Sequence, residues 1–308
     1  MQHRRNRMLT TISRCLLSLV FAVPTFPIAA QAQCRTMKAE LTDYVRTRDA
    51  KIGIAVITDR HDTICVNNEH PYPMNSVMKL YQAMAVIDRM QRLGHKVDSM
   101  FTFDRDEMDE KTYSPMRDTF QKGKNETSVA ELLKYSLQQS DNNACDMLFH
   151  HVVGVHDTDK YIRHLGFKDF AITASEADMH ADTTLVHTNW SYPLTAAMLT
   201  NRLFTERLYS AEYQHFLIRT LNECSTGVNR LAKPLLTSGA TIGHKTGTGF
   251  TSPEGYPQGV NDVGFVRLPD GRSYSIAVFV ETSQYDMEQT EQMIADISGI
   301  VLRNVKNN

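Results

Sequence analysis

Along this chain, apolar residues alternate between strand-like runs and helix-like spacing, and the order of the two predicts the architecture. Residues 33–50 read as a helix. Ile52-Gly53-Ile54-Ala55-Val56-Ile57 reads as a strand, and turn chemistry at Asp59-Arg60-His61-Asp62 leads into a second strand at 63–66, which predicts a hairpin. From 76 to 92, Val77, Leu80, Tyr81, Met84, Ile87 and Met90 fall near helical spacing, and Gly94 supplies a C-terminal stop. The methionines there are core filling. Ser128-Val129-Ala130-Glu131 has the form of a capping box opening a helix with Leu132, Leu133 and Leu137. That helix ends at Ser140-Asp141-Asn142, where another starts and runs to about Val153. Residues 170–191 show no period and are expected to form an irregular polar loop, a length that usually signals function or disorder. Helices resume over 194–207 and, with Ser210 as the cap, over 211–224.

The last third changes character. Residues 240–247 and 260–267 read as strands, and Leu268-Pro269-Asp270-Gly271 is turn chemistry before a third strand at 273–281. An amphipathic helix over 286–305 closes the chain, carrying Met293, Ile294, Ile297, Ile300, Val301 and Leu302. The predicted fold class is α/β (α+β): an antiparallel sheet built from both chain ends, flanked by helices, with a helical block inserted between. In domain terms, residues 33–70 and 225–308 form a sheet subdomain, and 71–224 form a helical one. No internal repeat or low-complexity linker interrupts this plan.

Composition adds little to the fold but narrows the setting. The chain has 308 residues, 42% hydrophobic and 22% charged, which is ordinary for a soluble globular protein. Its beginning reads as an export signal, with a basic head at His3-Arg4-Arg5-Asn6-Arg7, an apolar stretch from Cys15 to Ala30, and a small-x-small site at Ala30-Gln31-Ala32. Pro24 and Pro27 interrupt a stretch already short for a membrane span. Cleavage near Ala32 predicts a periplasmic or secreted protein without stable membrane association. Losing residues 1–32 removes Arg4, Arg5, Arg7 and Arg14 and no acid, so the formal charge goes from −2 to −6. An acidic mature chain without a basic run argues against nucleic acid as partner. Cys34, Cys65, Cys145 and Cys224 remain, an even count that permits disulfides without demonstrating them. Cys145, within a helical pattern, also reads as a small buried residue.

Candidate chemistry begins at Ser76 and Lys79. Three residues apart at a helix start, the hydroxyl and the amine share one helical face, next to unpaired backbone N–H groups. A Ser-x-x-Lys arises by chance roughly once in a chain of this length. Two further triplets follow. Ser140-Asp141-Asn142 places a hydroxyl and a carboxamide at a helix junction, where such residues also serve as caps. Lys245-Thr246-Gly247 lies in a predicted strand, where the glycine lets a ligand approach the backbone, although an edge-protecting lysine reads the same way. Each triplet alone arises by chance on the order of once in ten or more chains, so the ordered set is far from coincidence.

With these motifs the chain resembles the class A serine β-lactamases, within the penicillin-recognising serine acyltransferases. Tyr113-Ser114-Pro115, Ser136, Asn142-Asn143-Ala144 and Asn261-Asp262-Val263 extend the likeness over nearly all of the mature chain. Met179-His180-Ala181-Asp182 points toward the Bacteroides-type cephalosporinases and their extended-spectrum cousins. The resemblance implies a β-lactamase/transpeptidase-like fold, a β-lactam substrate with cephalosporins favoured, and a monomer without cofactor. By that resemblance Ser76 is the nucleophile, and Lys79 accepts its proton directly or through a water relay. Ser140 protonates the departing lactam nitrogen, Asn142 holds the acyl amide, and Lys245 attracts the substrate carboxylate. Thr246 and Thr248 add hydroxyl contacts beside Gly247, the N–H groups of Ser76 and Thr248 form the oxyanion hole, and Tyr113 walls the cleft. Glu176 deprotonates the deacylating water, with Asp178 its main competitor, and His180 supports that water.

The long loop departs from the family pattern. His180 stands where Asn is usual, Ala177 where Pro often follows the glutamate, and Ala174 and Asn189 replace a loop-tying Arg–Asp pair. A differently folded or looser loop is the expectation. His244 replaces a frequent Asp, which predicts that Arg230 loses its usual partner. No Gly-x-Ser-x-Gly, His-Glu-x-x-His or phosphate-cradling glycine loop occurs. His150, His151 and His156 read as solvent-facing helix histidines rather than a metal cluster, and no metal is expected in the reaction. Two rivals share Ser76, Lys79, Ser140 and Lys245: a D,D-peptidase or transpeptidase acting on cell-wall peptides, which needs no Glu176, and a β-lactam-sensing domain, which calls for a membrane segment.

Overall fold

The structure is a computed structural model that describes residues 28–307. The expected export signal therefore lies mostly outside the described residues. In chain order the elements are α1 (Ile28–Arg46), β1 (Lys51–Thr58), β2 (Thr63–Val66), β3 (Tyr72–Pro73), α2 (Met78–Leu93), β4 (Met100–Asp104), β5 (Lys124–Ser128), α3 (Val129–Gln138), α4 (Asn142–His151) and α5 (Val155–His164). They continue with β6 (Phe170–Ala171), α6 (Glu176–Ala181), β7 (Trp190–Ser191), α7 (Pro193–Thr205), α8 (Ala211–Asn222), β8 (Thr241–Thr248), β9 (Gly259–Arg267), β10 (Ser273–Glu281) and α9 (Met287–Lys306).

The main sheet has the order β2-β1-β10-β9-β8, and every pairing in it is antiparallel. The chain ends meet where β1 pairs with β10, from Lys51 opposite Glu281 to Thr58 opposite Tyr274. The sheet is covered on both faces, so its strands read as continuous apolar runs rather than clean alternations. Ile52, Ile54, Val56, Val278 and Val280 pack with Met37 and Leu41 of α1 and with Ile294, Ile297 and Val301 of α9. Ala55, Ile57, Ala277, Phe279 and Val263 instead join the core built on Leu80, Met84 and Ile87 of α2 and Leu132, Leu133 and Leu137 of α3.

Several local expectations hold. The β1–β2 hairpin forms, with Ile57 opposite Thr63, and Gly94 caps α2 at φ +67°. Others need correction. Ser128 accepts the Glu131 N–H as a cap, but Glu131 Oε2 takes the Thr127 hydroxyl instead of returning to the backbone, so the capping box is half made. Ser210 occupies the N-cap of α8 without a side-chain bond. Residues 170–191 are structured rather than irregular. They hold β6, α6, a 3₁₀ turn at Thr183–Thr188, and β7, which completes a three-stranded sheet in the order β3-β7-β6. Each piece is too short to leave a period in the sequence.

Candidate active site

The nucleophile candidate sits in a single 3₁₀ turn, Asn75–Val77, that runs directly into α2. Asn75 has φ +47°, a left-handed conformation that a non-glycine residue adopts only when its surroundings enforce it. Those surroundings come from the sheet. Asn261 Nδ2 of β9 donates to the carbonyls of Pro73 (2.8 Å) and Met74 (3.1 Å). A Cβ on Gly247 of β8 would lie 2.5 Å from the Met74 carbonyl oxygen. Gly247 therefore makes room for the chain's own Asn75–Val77 turn, a different close approach from the ligand contact expected of it.

Lys79 lies one turn on and is fully buried. Its Nζ donates to Ser76 Oγ (3.1 Å), the Ser140 carbonyl (2.7 Å) and Asn142 Oδ1 (2.7 Å), and it forms an ion pair with Glu176 Oε1 at 3.0 Å. Ser76 Oγ donates to the same Glu176 oxygen at 3.3 Å. An ammonium has three protons and no lone pair, so a Lys79 engaged in this way donates, and the open acceptor beside Ser76 is Glu176.

The second wall comes from the α3–α4 junction. Ser140 has φ +60°, the second non-glycine left-handed residue of the site. Its Oγ accepts from Lys245 Nζ at 2.9 Å, and Lys245 also donates to the Thr246 carbonyl at 2.8 Å. Asp141 anchors the turn as the N-cap of α4, accepting from Ala144 N (2.9 Å), Met116 N (2.6 Å) and Ser114 Oγ (2.9 Å). Asn142 donates to Thr112 Oγ1 at 2.8 Å, which fixes its carboxamide with the oxygen toward Lys79. Lys245 is fully buried, and burial together with the Lys79 charge brings its amine down to about 7. An anion arriving beside it opposes the Lys79 repulsion and favours the charged amine.

The third wall is α6 and its loop. Glu176 opens α6, and its backbone N–H donates to Asp146 Oδ1 of α4 at 2.9 Å. Burial and the nearby Glu176 charge push the Asp146 carboxyl up to about 7. Asn189 does the work expected of the missing Arg–Asp pair. Its Oδ1 accepts from Thr173 N (2.7 Å) and Ala174 N (3.1 Å), and its Nδ2 donates to the Ala174 carbonyl (2.8 Å). The loop is thus tied rather than loose, and the Glu176–Ala177 bond is trans. Asp178, the competitor for Glu176, is spent locally as the N3 partner of a capping box with Ser175. His180 lines the cavity, with Nε2 3.9 Å from Asp109 Oδ2.

Arg230 takes another partner, since His244 pairs with Asp262 instead. Its Nε pairs with Glu291 Oε1 at 3.0 Å, Nη1 donates to the Gly247 and Asn261 carbonyls, and Nη2 donates to Thr248 Oγ1 at 2.7 Å. Thr246 Oγ1 lies 2.6 Å from Thr226 Oγ1. These walls enclose a cavity of about 550 Å³, with Tyr113 and Phe250 as half-exposed aromatic rims. It brings together Ser76, Ser140, Asn142, Glu176, His180, Thr246 and Thr248, with the amines of Lys79 and Lys245 bonded to its lining hydroxyls.

Three groups in or behind the walls escaped the sequence reading. Asp146 carried one faint signal, its position one helical turn beyond Asn142. Thr226 carried none. The cluster of Cys224, His244 and Asp262 is assembled only by the fold: His244 Nδ1 lies 2.9 Å from Asp262 Oδ1, and the imidazole sits beside the Cys224 thiol, whose Sγ lies 3.4 Å from Thr226 Oγ1. Burial works against a charged His244, but Asp262 and Cys224 outweigh it and hold the imidazole up to about 10. Among the described residues Cys65, Cys145 and Cys224 are free thiols.

Comparison with known proteins gives one answer over the whole chain. A sequence profile described as the β-lactamase enzyme family matches residues 36–305. A β-lactamase of Phocaeicola vulgatus is 38% identical over 98% of this chain and 97% of its own length. The extended-spectrum β-lactamase PER-1 of Pseudomonas aeruginosa is 33% identical over 87% of this chain and 86% of its own. The crystal structure of a class A β-lactamase from Bacteroides cellulosilyticus superposes with a TM-score of 0.85 at 34% identity, covering 90% of this chain and 99% of that one.

Proposed function

The chain belongs to the class A β-lactamase family and is a serine β-lactam hydrolase, and from that premise we propose how its residues divide the reaction and which substrates it favours. The observation that carries the proposal is the shared contact of Ser76 Oγ with Lys79 Nζ at 3.1 Å and Glu176 Oε1 at 3.3 Å. Ser76 Oγ attacks the lactam carbonyl carbon while its proton passes to Glu176, with Lys79 holding both groups in line. The oxyanion that forms is held by the backbone N–H groups of Ser76 and Thr248, donors typically worth about 3–4 kcal/mol of the barrier. As the ring opens, Ser140 Oγ delivers its proton to the lactam nitrogen and is resupplied across its 2.9 Å contact with Lys245. Lys245, Thr246 and Thr248 bind the substrate carboxylate, Asn142 binds the acyl amide, and Tyr113 bounds the cleft. Between the two steps Glu176 releases the proton it received and Lys245 regains one, both by exchange with solvent, so Glu176 is again a carboxylate. It then takes a proton from water, whose oxygen attacks the ester carbonyl, and gives that proton to Ser76 Oγ as the ester bond breaks. His180, one turn along α6 from Glu176, supports that water.

Cephalosporins are the favoured class. The support is the roomy cavity and the similarity to a protein named as an extended-spectrum enzyme. The same reading treats residues 33–70 and 225–308 as a sheet subdomain and 71–224 as a helical one, with the cleft between them. The segregation of apolar residues into two clusters on opposite sheet faces supports that division. The protein acts as a periplasmic or secreted monomer after cleavage near Ala32. Among the described residues no helix is long and apolar enough to cross a membrane.

The test is turnover of a chromogenic cephalosporin by residues 33–308. Ser76→Ala lowers kcat by at least about a thousandfold. Glu176→Ala accumulates the acyl-enzyme, seen by mass spectrometry as a covalent adduct on Ser76. Undiminished deacylation in Glu176→Ala would remove Glu176 from its role, and a parent that acylates without turnover would overturn the hydrolytic mechanism.

A further inference from the structure

We propose that Glu107, His150 and His151 form a binding site for one divalent transition-metal ion, with zinc the best match to the donor set, on the side of α6 opposite the catalytic cavity. Helix α6 stands between two cavities. Glu176, Met179 and His180 face the first, whereas Ser175, Ala177 and Asp178 line a second of about 520 Å³ that also holds Glu107, Asp146, His150 and His151. The serine chemistry uses none of the three proposed ligands, so this site stands apart from the assignment of catalytic roles.

The donor geometry is the first argument. One ligand atom from each of the three residues lies within 4.8 Å of the other two. His151 Nε2 and Glu107 Oε2 are already 2.8 Å apart, and the two imidazole rings meet edge to face with centroids 4.7 Å apart. Zinc bonds of about 2.0–2.2 Å in a tetrahedral arrangement put donors roughly 3.3–3.6 Å from one another. All three side chains are exposed, so closing from the observed spacing to that one takes small rotamer adjustments and disturbs no core packing.

The second argument is pre-orientation. Glu107 Oε1 accepts the Asp104 backbone N–H at 2.8 Å within a capping box, which leaves Oε2 turned to the histidines. Fixing a ligand through its other atom is how outer contacts tune metal sites. Both histidines lie in the last turn of α4, where the helix dipole favours a cation, and the cavity walls add Asp146 and Asp178. Two imidazoles, one carboxylate and a solvent-facing fourth position suit zinc. The ion would tie the end of α4 to the turn after β4. The start of α4 carries Asn142, and its middle carries Asp146, which holds the N-terminus of α6.

The experiment uses the exported protein, stripped with a chelator and titrated with zinc chloride by calorimetry. The expected result is saturable binding of one zinc per chain and a rise in melting temperature. Affinity falls at least about tenfold in Glu107→Gln and in His150→Ala, with folding checked by circular dichroism. Glu107→Gln keeps the side chain's size, so it remains informative if a histidine variant folds poorly. No saturable zinc binding in the parent overturns the proposal. Undiminished affinity in the folded His150→Ala/His151→Ala protein does so as well, because it moves the zinc to other residues.

Discussion

At the scale of single residues, the site was legible where its chemistry is local in sequence and hidden where it is not. Ser76 with Lys79, and Ser140 with Asn142, are set by helical spacing and capping chemistry, so short motifs reveal them. Lys245 needed only its own strand. Cys224 had no such neighbours in sequence, because its character comes from residues delivered by β8 and β9. Burial alone would raise its thiol, but the nearby His244 and Lys245 charges outweigh burial and bring it down to about 7. Burial pushes the Cys65 and Cys145 thiols up. The thiolate is the nucleophile, so reactivity rises with pH through the thiol's own pKa. In an iodoacetamide time course at pH 7.5 read by peptide mass spectrometry, Cys224 is expected to alkylate before Cys65 and Cys145. Its rate should climb from pH 6 to 8 and then level off, while Cys65 should keep accelerating above pH 9. His244→Asn removes the cation and should slow Cys224 by roughly tenfold at pH 7.5, whereas equal rates for Cys65 and Cys224 in the parent would contradict this electrostatic account.

At the scale of elements, the region 170–191 shows why the sequence was least informative where function is densest. Helix α6 has six residues, and β6 and β7 have two each, so no periodicity develops. Their order comes from hydrogen bonds made by Asn189, whose side chain is fully buried. Substituting the expected ionic tie by Asn189 and Ala174 does not loosen the loop, because an amide can satisfy two N–H groups and one carbonyl at once. An isolated buried charge pair carries a desolvation cost that the amide avoids. Asn189→Ala leaves those three backbone groups unpaired and is expected to cost about 2–3 kcal/mol. The melting temperature should drop by roughly 4–12 °C. Since the loop carries Glu176, deacylation should slow more than acylation, so the variant accumulates acyl-enzyme with a cephalosporin while its burst rate stays near the parent's. A variant that melts early yet partitions between the two steps as the parent does would show that Asn189 stabilises the fold without positioning Glu176.

At the scale of the whole molecule, the sheet assembled from both chain ends was readable because β1 and β10 are near-continuous apolar runs and the closing helix is long enough to show its period. The two-residue strands of the small sheet were not. The order β2-β1-β10-β9-β8 puts the two ends of the chain in register, and the face packed by α1 and α9 is separate from the face that supports the catalytic cavity. Stability and chemistry can therefore be perturbed independently. Ile297 is fully buried between α9 and the sheet on the far face. Ile297→Ala removes its transfer energy and leaves a cavity, at a cost of about 2–5 kcal/mol. That corresponds to a fall of roughly 5–15 °C in melting temperature. The turn carrying Ser76 is held instead by Asn261 and by the close approach at Gly247, contacts this substitution does not touch. Below the transition, kcat/KM for a cephalosporin should therefore remain within about twofold of the parent. A large loss of kcat/KM at 25 °C in a protein still fully folded by circular dichroism would mean that the far core is coupled to Ser76 through the sheet, and that the two faces do not act as independent supports.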